Sequence, residues 1–474
     1  MTSPPHPRPL PAGFRLVFDP ALRRPHPGVL IGGSPLRVLK LTAAGAGLVG
    51  RWAAGEPVGA SAGARALAAR LVDAGLAHPR PAAAPSLPGA AVVIPVRDDP
   101  DGLAATLDAL AATAPGVPVW VIDDGSAPAL PPPPHAGVRL LRRDSPGGPA
   151  AARNTGWRAA AGADVIVFVD AGCVLEAGWP EALLGHFADP GLAAVAPRVA
   201  SRAAAGTPRG LAAHEEAHSP LDMGPAEGPV RPGAAVPYVP TAVLAVRRSA
   251  LEPGFDEDLR FGEDVDLVWR LGGAGWRVRY DPSVRATHPV RATRGRWLRQ
   301  RFDYGRSAAP LAARHGRAVA PLSVNPWSAA VWAFLAAGRP VPAAVLAVGS
   351  AAALTRRAGR DRATAAELGR LALSGHARAG GPIAGAVRRA WLPPAAVAAG
   401  LAWRLGDRRA RRALAVAAAA TIAGDGARDW WTRRPPVDPL RWVLWRVGDD
   451  LAYQAGVWAG VARNRSAAAL LPRW

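Results

Sequence analysis

The chain has 474 residues, of which 50% are apolar, 20% are charged and only 6% are aromatic. This length gives room for two or three domains with sizeable cores, and the composition is that of a globular protein rather than a disordered one. The single cysteine, Cys173, excludes a fold held by disulfides within the chain. The N-terminal residues MTSPPHPRPLPAGF lack the basic and apolar regions of a signal peptide, so we expect a cytoplasmic protein.

Positive charge is concentrated in the last part of the chain. The formal net charge is +21, but residues 1–284 carry 26 cationic and 27 acidic side chains, whereas residues 285–474 carry 31 and 9. A basic region of this kind is typical of proteins that bind nucleic acid, an anionic membrane surface or a phosphorylated ligand. Charge alone does not choose among these partners.

Two proline-rich stretches border a small N-terminal module. Residues 1–13 are predicted to be a disordered tail and residues 81–89 a linker. Between them, residues 14–80 contain two short strand patterns, at 28–33 and 36–41, followed by two segments with helical spacing. This order resembles a winged helix or the small peptide-recognition modules related to it, which makes the module a candidate peptide-contact surface.

From residue 90 onward, runs rich in valine and isoleucine alternate with helical stretches. Strands are predicted at residues 90–96, 117–123, 138–143 and 164–172, and helices at residues 102–114 and 150–161. The repeated order of strand, helix and strand predicts an α/β domain with a parallel sheet and right-handed crossovers. Such sheets bind their ligands at the carboxyl ends of the strands. We assign residues 90–318 to this domain.

Residues 319–474 form a basic, alanine-rich region with a helical pattern. Its apolar stretches, at 328–338, 340–354 and 413–424, are shorter than the roughly 18–20 residues that a membrane-spanning helix needs. The first two could form a hairpin that dips into a membrane, or they could be core helices. The tryptophans and arginines around them suit a membrane interface, so a membrane-associated helical region is one expectation.

Candidate binding residues lie at the ends of the first two predicted strands. The first strand ends in Pro95 and Val96, and the second ends in Asp123 and Asp124, followed by a glycine. Carboxylates at neighbouring strand ends face a common crevice and can accept hydrogen bonds from a base or from ribose hydroxyls. The alternative is that these aspartates only cap the following turn.

Three further segments carry candidate chemistry. The sequence GGPAAARNTG opens a helix, whose N-terminus is suited to phosphate, although a structural loop would look the same. The fourth strand ends at Asp170, a position suited to a divalent cation that bridges a diphosphate. Glu263 and Asp264, in FGEDVDL, lie at the start of a predicted helix and are either a general base and its neighbour or ordinary helix-capping acids.

The order of these motifs is more specific than any one of them. VVIPV, DDGS, the glycine-rich ARN segment, the strand-end aspartate and GEDVDL follow one another along the chain, and together they resemble the inverting family 2 glycosyltransferases with the GT-A (Rossmann-like) fold. Phrases such as GGSPLRVLKL, HFADPGLAAVAPRV, YVPTAVLAVRRSAL and DDLAYQAGVWAG are similar to the mycofactocin-system glycosyltransferases, and they extend over nearly the whole chain.

This resemblance implies an activity and its partners. It implies transfer of glucose from UDP-glucose to premycofactocin and extension of a β-linked oligosaccharide, with Mg²⁺ or Mn²⁺ as cofactor. The alternative within the same class is a family 2 enzyme that makes an exopolysaccharide or a glycolipid. A nucleic-acid-binding regulator is disfavoured because it has no need of the acidic series in the middle of the chain. The basic tail then suits an anionic membrane at its cytoplasmic face.

The resemblance also implies residue roles. Pro95, Val96, Asp123 and Asp124 would bind the uridine, Arg153 and Asn154 would lie near the nucleotide or diphosphate, Asp170 would bind the metal, and Asp264 beside Glu263 would be the general base. The family's metal motif usually has a second aspartate where this chain has Gly172. Either His288 and the diphosphate help Asp170 to bind the metal, or the affinity of this chain for the metal is reduced. Trp297, Gln300 and Arg301 are similar to the QxxRW signature of processive relatives, but in a different order.

Overall fold

The computed structural model describes residues 8–81, 89–204, 206–290, 293–356 and 361–474. The chain forms two compact units, one of Met1–Ala204 with His218–Val290 and one of Ala205–Ala217 with Arg291–Trp474. Most of the predicted tail and linker, residues 1–7 and 82–88, lies outside the described residues. The described residues 8–13 differ from the expected tail, since Leu10 is fully buried and the Gly13 N–H donates to the Val58 carbonyl at 2.8 Å.

The N-terminal module lies within the first unit. Its elements are β1 (Arg15–Phe18), β2 (Arg23–His26), β3 (Val29–Gly32), β4 (Arg37–Lys40), α1 (Ala43–Ala53), α2 (Ala62–Ala74) and β5 (Ala77–Arg80). Strands β2, β3 and β4 form one antiparallel sheet, and β1 pairs with β5. The two predicted strands and both helices are present. The other three strands, β1, β2 and β5, were not predicted. Two of them, β2 and β5, contain a proline, which disfavours a strand assignment.

The rest of the first unit is built around a nine-stranded sheet. Its elements are β6 (Ala90–Val96), α3 (Pro100–Thr113), β7 (Val119–Asp123), β8 (Val138–Arg142), α4 (Pro149–Ala159), β9 (Val165–Val169), β10 (Val174–Leu175), β11 (Leu192–Arg202), β12 (Gly228–Pro229), β13 (Val243–Arg247), α6 (Glu263–Gly273) and β14 (Arg277–Pro289), with α5 (Arg209–His218) inserted after β11. The strand order is β10-β14-β11-β13-β9-β6-β7-β8, with β12 beside β14.

The predicted α/β fold is confirmed. Strands β9, β6, β7 and β8 are parallel neighbours, and the helices α3 and α4 connect them as expected. The sheet is mixed rather than wholly parallel, because β13 runs antiparallel to both of its neighbours. All five residues of β9 are buried, as expected for a central strand with both faces covered.

The second unit is helical, as predicted for the C-terminal region. Its helices, besides most of α5, are α7 (Arg294–Arg306), α8 (Ala308–His315), α9 (Pro326–Ala336), α10 (Pro340–Arg356), α11 (Arg362–Arg378), α12 (Gly380–Ala386), α13 (Leu392–Leu405), α14 (Arg408–Ala419), α15 (Asp425–Arg433) and α16 (Pro439–Asn464). Short 3-10 or π-helical segments occur in both units, at Pro180–Leu184, Gly185–Ala188 and Arg248–Ala250 in the first and at Gly316–Val319, Val387–Trp391, Ala420–Gly424 and Ala468–Leu470 in the second.

Helices α7 and α8 belong to this second unit, although the sequence had placed them with the α/β domain. The reason is a close backbone contact between α7 and α16. A Cβ atom on Gly456 would lie 1.9 Å from the Phe302 carbonyl oxygen, and one on Gly305 would lie 2.0 Å from the Tyr453 carbonyl oxygen. Glycine at both positions lets the two helices touch. Among the described residues, no helix combines the length and apolarity needed to cross a membrane.

Candidate active site

The predicted crevice lies at the carboxyl ends of β6, β7 and β9. Val96, the last residue of β6, pairs in register with Asp123, the last residue of β7, and its carbonyl accepts from the Asp124 N–H at 2.9 Å. Asp170 directly follows β9. The half-buried Pro95 and the buried Val96 therefore lie beside the aspartates with which they were predicted to form the uridine pocket.

Asp123 is 1% exposed and already has protein partners. Its Oδ1 accepts from the Ser126 N–H at 2.8 Å, and its Oδ2 accepts from the Arg142 guanidinium at 2.5 Å. Burial alone would raise the pKa of Asp123, but the hydrogen bonds from Ser126 and Arg142 outweigh burial and hold the pKa below its usual value. The carboxylate is therefore kept charged and fixed at the end of β7, where a nucleoside would meet it.

Asp124 organises the glycine-rich turn. Its two oxygens accept from the N–H groups of Gly147 at 2.9 Å and Gly148 at 2.7 Å, and the Arg143 Nε lies 2.9 Å from Oδ1. The residue is 4% exposed. In this structure Asp124 thus shapes the turn that opens α4, which is close to the capping alternative raised from the sequence.

Arg153 joins the donor side of the crevice to the acids of α6. This side chain on α4 is 3% exposed and donates from Nη2 to Asp170 at 2.7 Å and from Nη1 to Glu263 at 2.8 Å. Burial opposes its charge, but the carboxylates of Asp170 and Glu263 outweigh burial and raise the pKa of Arg153. The structure therefore brings together three of the predicted site residues from three different elements.

Asn154 was predicted to lie near the nucleotide, but its side chain is bound to other protein groups. Its Nδ2 donates to the Phe255 carbonyl and to Glu257, both at 2.8 Å, and its Oδ1 accepts from the Phe255 N–H at 2.9 Å and from the Trp157 indole at 3.1 Å. The amide group has two donors and two acceptor positions, so these four bonds use all of them. Asn154 fixes the loop that precedes α6 rather than presenting its amide to a ligand.

The pair Glu263 and Asp264 begins α6. Burial and the neighbouring charge of Asp264 raise the pKa of Glu263, although Arg153 opposes this shift. Burial raises the pKa of Asp264 as well, against hydrogen bonds from the backbone N–H groups of Val265 and Thr241. Glu263 is buried and bound to Arg153, whereas Asp264 is half-buried. Asp264 is thus the acid of the pair better suited to accept a proton from a bound hydroxyl group.

The metal motif provides few protein ligands. Gly172 has a φ of +90°, and a Cβ there would lie 2.9 Å from the Pro289 ring, so the backbone disfavours an aspartate at this position. Among the described residues, no three histidine, cysteine or acidic side chains come together as a metal-binding group. Asp170 has one oxygen bonded to Arg153 and a side chain that is 29% exposed.

His288 lies near the end of β14. The pairing of Val174 with Thr287 places His288 opposite Cys173, beside the turn that contains Asp170 and Gly172. The His288 Nδ1–H donates to the Pro289 carbonyl at 2.9 Å, which leaves the lone pair of a neutral ring on Nε2, a form in which histidine binds metals. Two side chains are too few ligands for a divalent cation, so Asp170 and His288 would bind one only together with oxygen ligands from a bound diphosphate.

Trp297 and Arg301 are buried inside the second unit. The Trp297 indole donates to Glu215 at 2.9 Å, and Arg301 forms ion pairs with Glu215 and Asp449. Both side chains are at most 2% exposed. Side chains buried in this way do not form a surface that contacts an acceptor. This placement agrees with the fact that these residues depart from the order of the QxxRW signature.

Sequence reasoning did not identify Arg142 or Thr241 as site residues. Arg142 lies within the predicted third strand, and the parallel pairing of β7 with β8 places it opposite Asp123, so the signal was present in the strand register. Thr241 contributes only its backbone N–H to Asp264, and no side-chain pattern in a sequence reports such a contact.

The comparisons with known proteins identify the family of this chain. Residues 91–254 match the family described as Glycosyl transferase family 2. The chain is 38% identical over 483 residues to the curated "Pre-mycofactocin glycosyltransferase" of Mycobacterium tuberculosis (strain CDC 1551 / Oshkosh), with 98% of each chain covered. The protein of the same name from Mycobacterium tuberculosis (strain ATCC 25618 / H37Rv) matches to the same extent.

Two solved structures show weaker similarity. A mannosyltransferase, PcManGT from Pyrobaculum calidifontis in complex with GDP-Man and Mn²⁺, has a TM-score of 0.42 at 17% identity, with 81% of this chain and 89% of that chain covered. GalNAc-T7 with UDP, GalNAc and Mn²⁺ has a TM-score of 0.36 at 16% identity, with 48% of each chain covered.

Family membership follows from the sequence identity, which extends over almost the full length of both chains. The order of motifs had indicated the same family and the GT-A fold, and both predictions are confirmed. The chain belongs to the pre-mycofactocin glycosyltransferase family and is a glycosyltransferase with a family 2 domain.

Proposed function

We propose that the chain transfers glucose from UDP-glucose to premycofactocin with inversion at the anomeric carbon, and that it extends a β-linked oligosaccharide. The observation that carries this proposal is the arrangement of Asp264, with its raised pKa, one residue from a glutamate that Arg153 links to the donor-side Asp170. The name and the 38% identity of the curated relatives support the choice of acceptor.

The donor would bind along the carboxyl ends of β6, β7 and β9. Pro95 and Val96 would line the uridine pocket, and the charged Asp123 would accept hydrogen bonds from the nucleoside. To do so, the Asp123 carboxylate would share its oxygens between the nucleoside and Arg142. Asp124 would support this site by holding the glycine-rich turn in place.

Transfer would be a single in-line displacement. Asp264 takes the proton from an acceptor hydroxyl group, and the acceptor oxygen forms a bond to the anomeric carbon from the face opposite the diphosphate. The bond between the anomeric carbon and the diphosphate oxygen breaks, and UDP leaves with the electron pair. Glu263, held by Arg153, keeps the start of α6 in place during this step.

Mg²⁺ or Mn²⁺ would be held by Asp170 and His288 together with the diphosphate. When bound, the cation neutralises the charge that accumulates on the departing diphosphate. Arg153 would keep Asp170 at the end of β9.

Two partners besides the substrates are included in the proposal. The exposed strand β4 is an edge of the module's three-stranded sheet, and an extended peptide could pair with it. The helical unit presents valines on one face of α10, where Val341, Val345 and Val348 are each at least 60% exposed. Together with the basic charge of this region, that face suits the surface of an anionic membrane, and we place the protein at its cytoplasmic side.

The same exposed face favours a second candidate, transfer to a lipid-linked acceptor for a glycolipid or an exopolysaccharide. The test compares labelled UDP-glucose with premycofactocin and with a lipid phosphate as acceptors, using the full chain. Transfer to premycofactocin supports the proposal. Transfer only to the lipid phosphate would replace it with the second candidate.

A further inference from the structure

Residues 230–242, here called the floor segment, connect to both acidic sides of the site. The Thr241 N–H donates to the Asp264 carboxylate, and the carbonyl of the next residue, Ala242, accepts from the Asp170 N–H at 2.9 Å. Two consecutive residues therefore hold the candidate base on one side and the donor-side aspartate on the other. A shift of this stretch would change the distance between the two acids.

The floor segment is also attached to the helix that carries the base. The Pro237 carbonyl accepts from the Trp269 indole at 2.7 Å, and Trp269 lies on α6, which begins with Glu263. Val239, between these contacts, is fully buried. The segment and α6 are thus fixed to each other at two points, through Pro237 and through Thr241.

The other end of the floor segment is a tight loop held by the N-terminal module. The loop is closed by a bridge between Val230 and Val236. The Arg231 guanidinium extends from it and donates from Nε and Nη2 to the Ser34 carbonyl, at 3.2 and 2.5 Å. The Ala235 N–H donates to the Ser34 hydroxyl at 2.5 Å. Ser34 lies in the turn between β3 and β4, so these three hydrogen bonds all reach the loop from one residue of the module.

Other contacts join the module to the α/β domain without involving the floor segment. Arg80 and Glu227 form two hydrogen bonds, at 2.9 and 2.6 Å, and the Arg277 Nε lies 2.7 Å from Asp73. These ion pairs hold the module as a whole against the α/β domain. Arg231 differs from them because its hydrogen-bond acceptor on the module is a neutral carbonyl. Burial and the neighbouring charge of Arg37 lower the pKa of Arg231, although the charge of Asp73 opposes this shift.

We infer that Arg231 is a positioning residue for glycosyl transfer, which fastens the floor segment to Ser34 so that Thr241 and Ala242 hold Asp264 and Asp170 in place. The N-terminal module is then part of the catalytic machinery, in addition to any peptide that it contacts. The catalytic consequence of this inference rests on the proposed function, whereas its structural consequence does not.

The test uses the full chain with Arg231→Met, which keeps the aliphatic part of the side chain and removes both hydrogen bonds. Arg80→Met is the matched control, because it removes the two hydrogen bonds to Glu227 at the same module interface and leaves the contacts of Arg231 in place. We expect Arg231→Met to lower kcat by about tenfold, as a misplaced reacting group does, with the Kd for UDP within about twofold. Arg231→Lys should restore most of kcat, and Arg80→Met should leave it near the wild-type value.

Hydrogen exchange of the backbone amides gives a readout that does not depend on turnover. Exchange in residues 237–243 should be faster in Arg231→Met than in wild type and unchanged in Arg80→Met. Unchanged exchange in Arg231→Met, or an equal increase in both variants, would overturn the inference. If wild type transfers no sugar, the proposed function fails, but the exchange comparison still decides whether Arg231 positions the floor segment.

Discussion

At the scale of single residues, the site depends on how the charges of its acids are matched. Asp123 accepts from the cationic Arg142 and stays charged, whereas Asp264 accepts from the neutral backbone N–H groups of Val265 and Thr241 and its pKa is raised. A carboxylate that binds a nucleoside benefits from a fixed charge. A general base benefits from a pKa closer to the working pH, because it must accept a proton and then release it. The two aspartates thus have environments that suit different tasks.

The raised pKa of Asp264 predicts the pH dependence of transfer. The base works only when deprotonated, so activity is full above the raised pKa and is lost as the pH falls through it. We expect the acid limb of kcat/KM to lie above pH ~4, the value of an ordinary aspartate. The measurement is the initial rate of transfer across the acid range, with protein preincubated at each pH and then assayed at neutral pH as the control for unfolding. An acid limb at the ordinary aspartate value would argue against this environment.

Asp170 gives a second prediction at this scale. Because it is one of only two candidate protein ligands, Asp170→Ala should weaken the binding of UDP in the presence of Mn²⁺ by about tenfold or more, as expected for the loss of a charged ligand. Asp164→Asn, at the opposite end of β9, is the matched control. Calorimetric titration of UDP with and without Mn²⁺ measures the effect. Equal affinities in both variants would remove Asp170 from the metal site.

At the scale of secondary structure elements, the contact of α4 with the sheet decides where Arg153 lies. A Cβ on Gly156 of α4 would be 2.3 Å from Val93 Cγ1 and 3.1 Å from Ile122 Cγ1. The glycine therefore lets the helix lie close to β6 and β7. Arg153 is one turn before it, so the same contact brings the guanidinium within reach of Asp170.

Gly156→Ala should therefore destabilise the fold by about 1–3 kcal/mol, the usual cost of inserting a methyl group into a packed core. Gly162→Ala is the control, because a Cβ at Gly162 has no heavy atom within 4 Å. Thermal unfolding of the two variants beside wild type measures the difference. A melting temperature of Gly156→Ala equal to that of the control would show that the helix can move away from the sheet without cost.

The elements near the site were largely predictable from sequence, and the contacts between side chains were not. Strand β6 was predicted at its observed bounds because valine-rich runs and turn residues are local signals. The hydrogen bonds from Asn154 to Phe255 and Glu257 join residues that are about a hundred positions apart in the sequence. Hydrophobic periodicity carries no information about such pairs. The close approach of Gly172 to Pro289 was not predictable from the sequence for the same reason.

At the scale of the whole molecule, the basic C-terminal region also carries an exposed apolar surface. On α13 of the helical unit, Val397, Leu401 and Leu405 are 65%, 56% and 87% exposed, and their spacing places them on one face of the helix. Large exposed apolar faces beside arginines are typical of helices that lie at a membrane surface. The nucleic-acid alternative has no comparable support among the described residues.

We expect the full chain to sediment with vesicles that contain phosphatidylglycerol and to be only partly released by high salt, because screening weakens the electrostatic part of the binding and not the apolar part. Val345→Glu on α10 should reduce this binding. Val17→Glu, at an exposed valine of the N-terminal module, is the matched control. Equal sedimentation of both variants with wild type would place the membrane contact elsewhere or exclude it.

The central claim is that Asp264 is the general base of a glycosyl transfer reaction. The most direct measurement is the rate at which wild type and Asp264→Asn transfer labelled glucose from UDP-glucose to premycofactocin, with the Kd for UDP determined for both. The amide keeps the shape of the side chain and cannot take the proton, so we expect transfer to fall by about 100-fold or more while the Kd for UDP stays within about twofold. Transfer by Asp264→Asn at the wild-type rate would contradict this assignment.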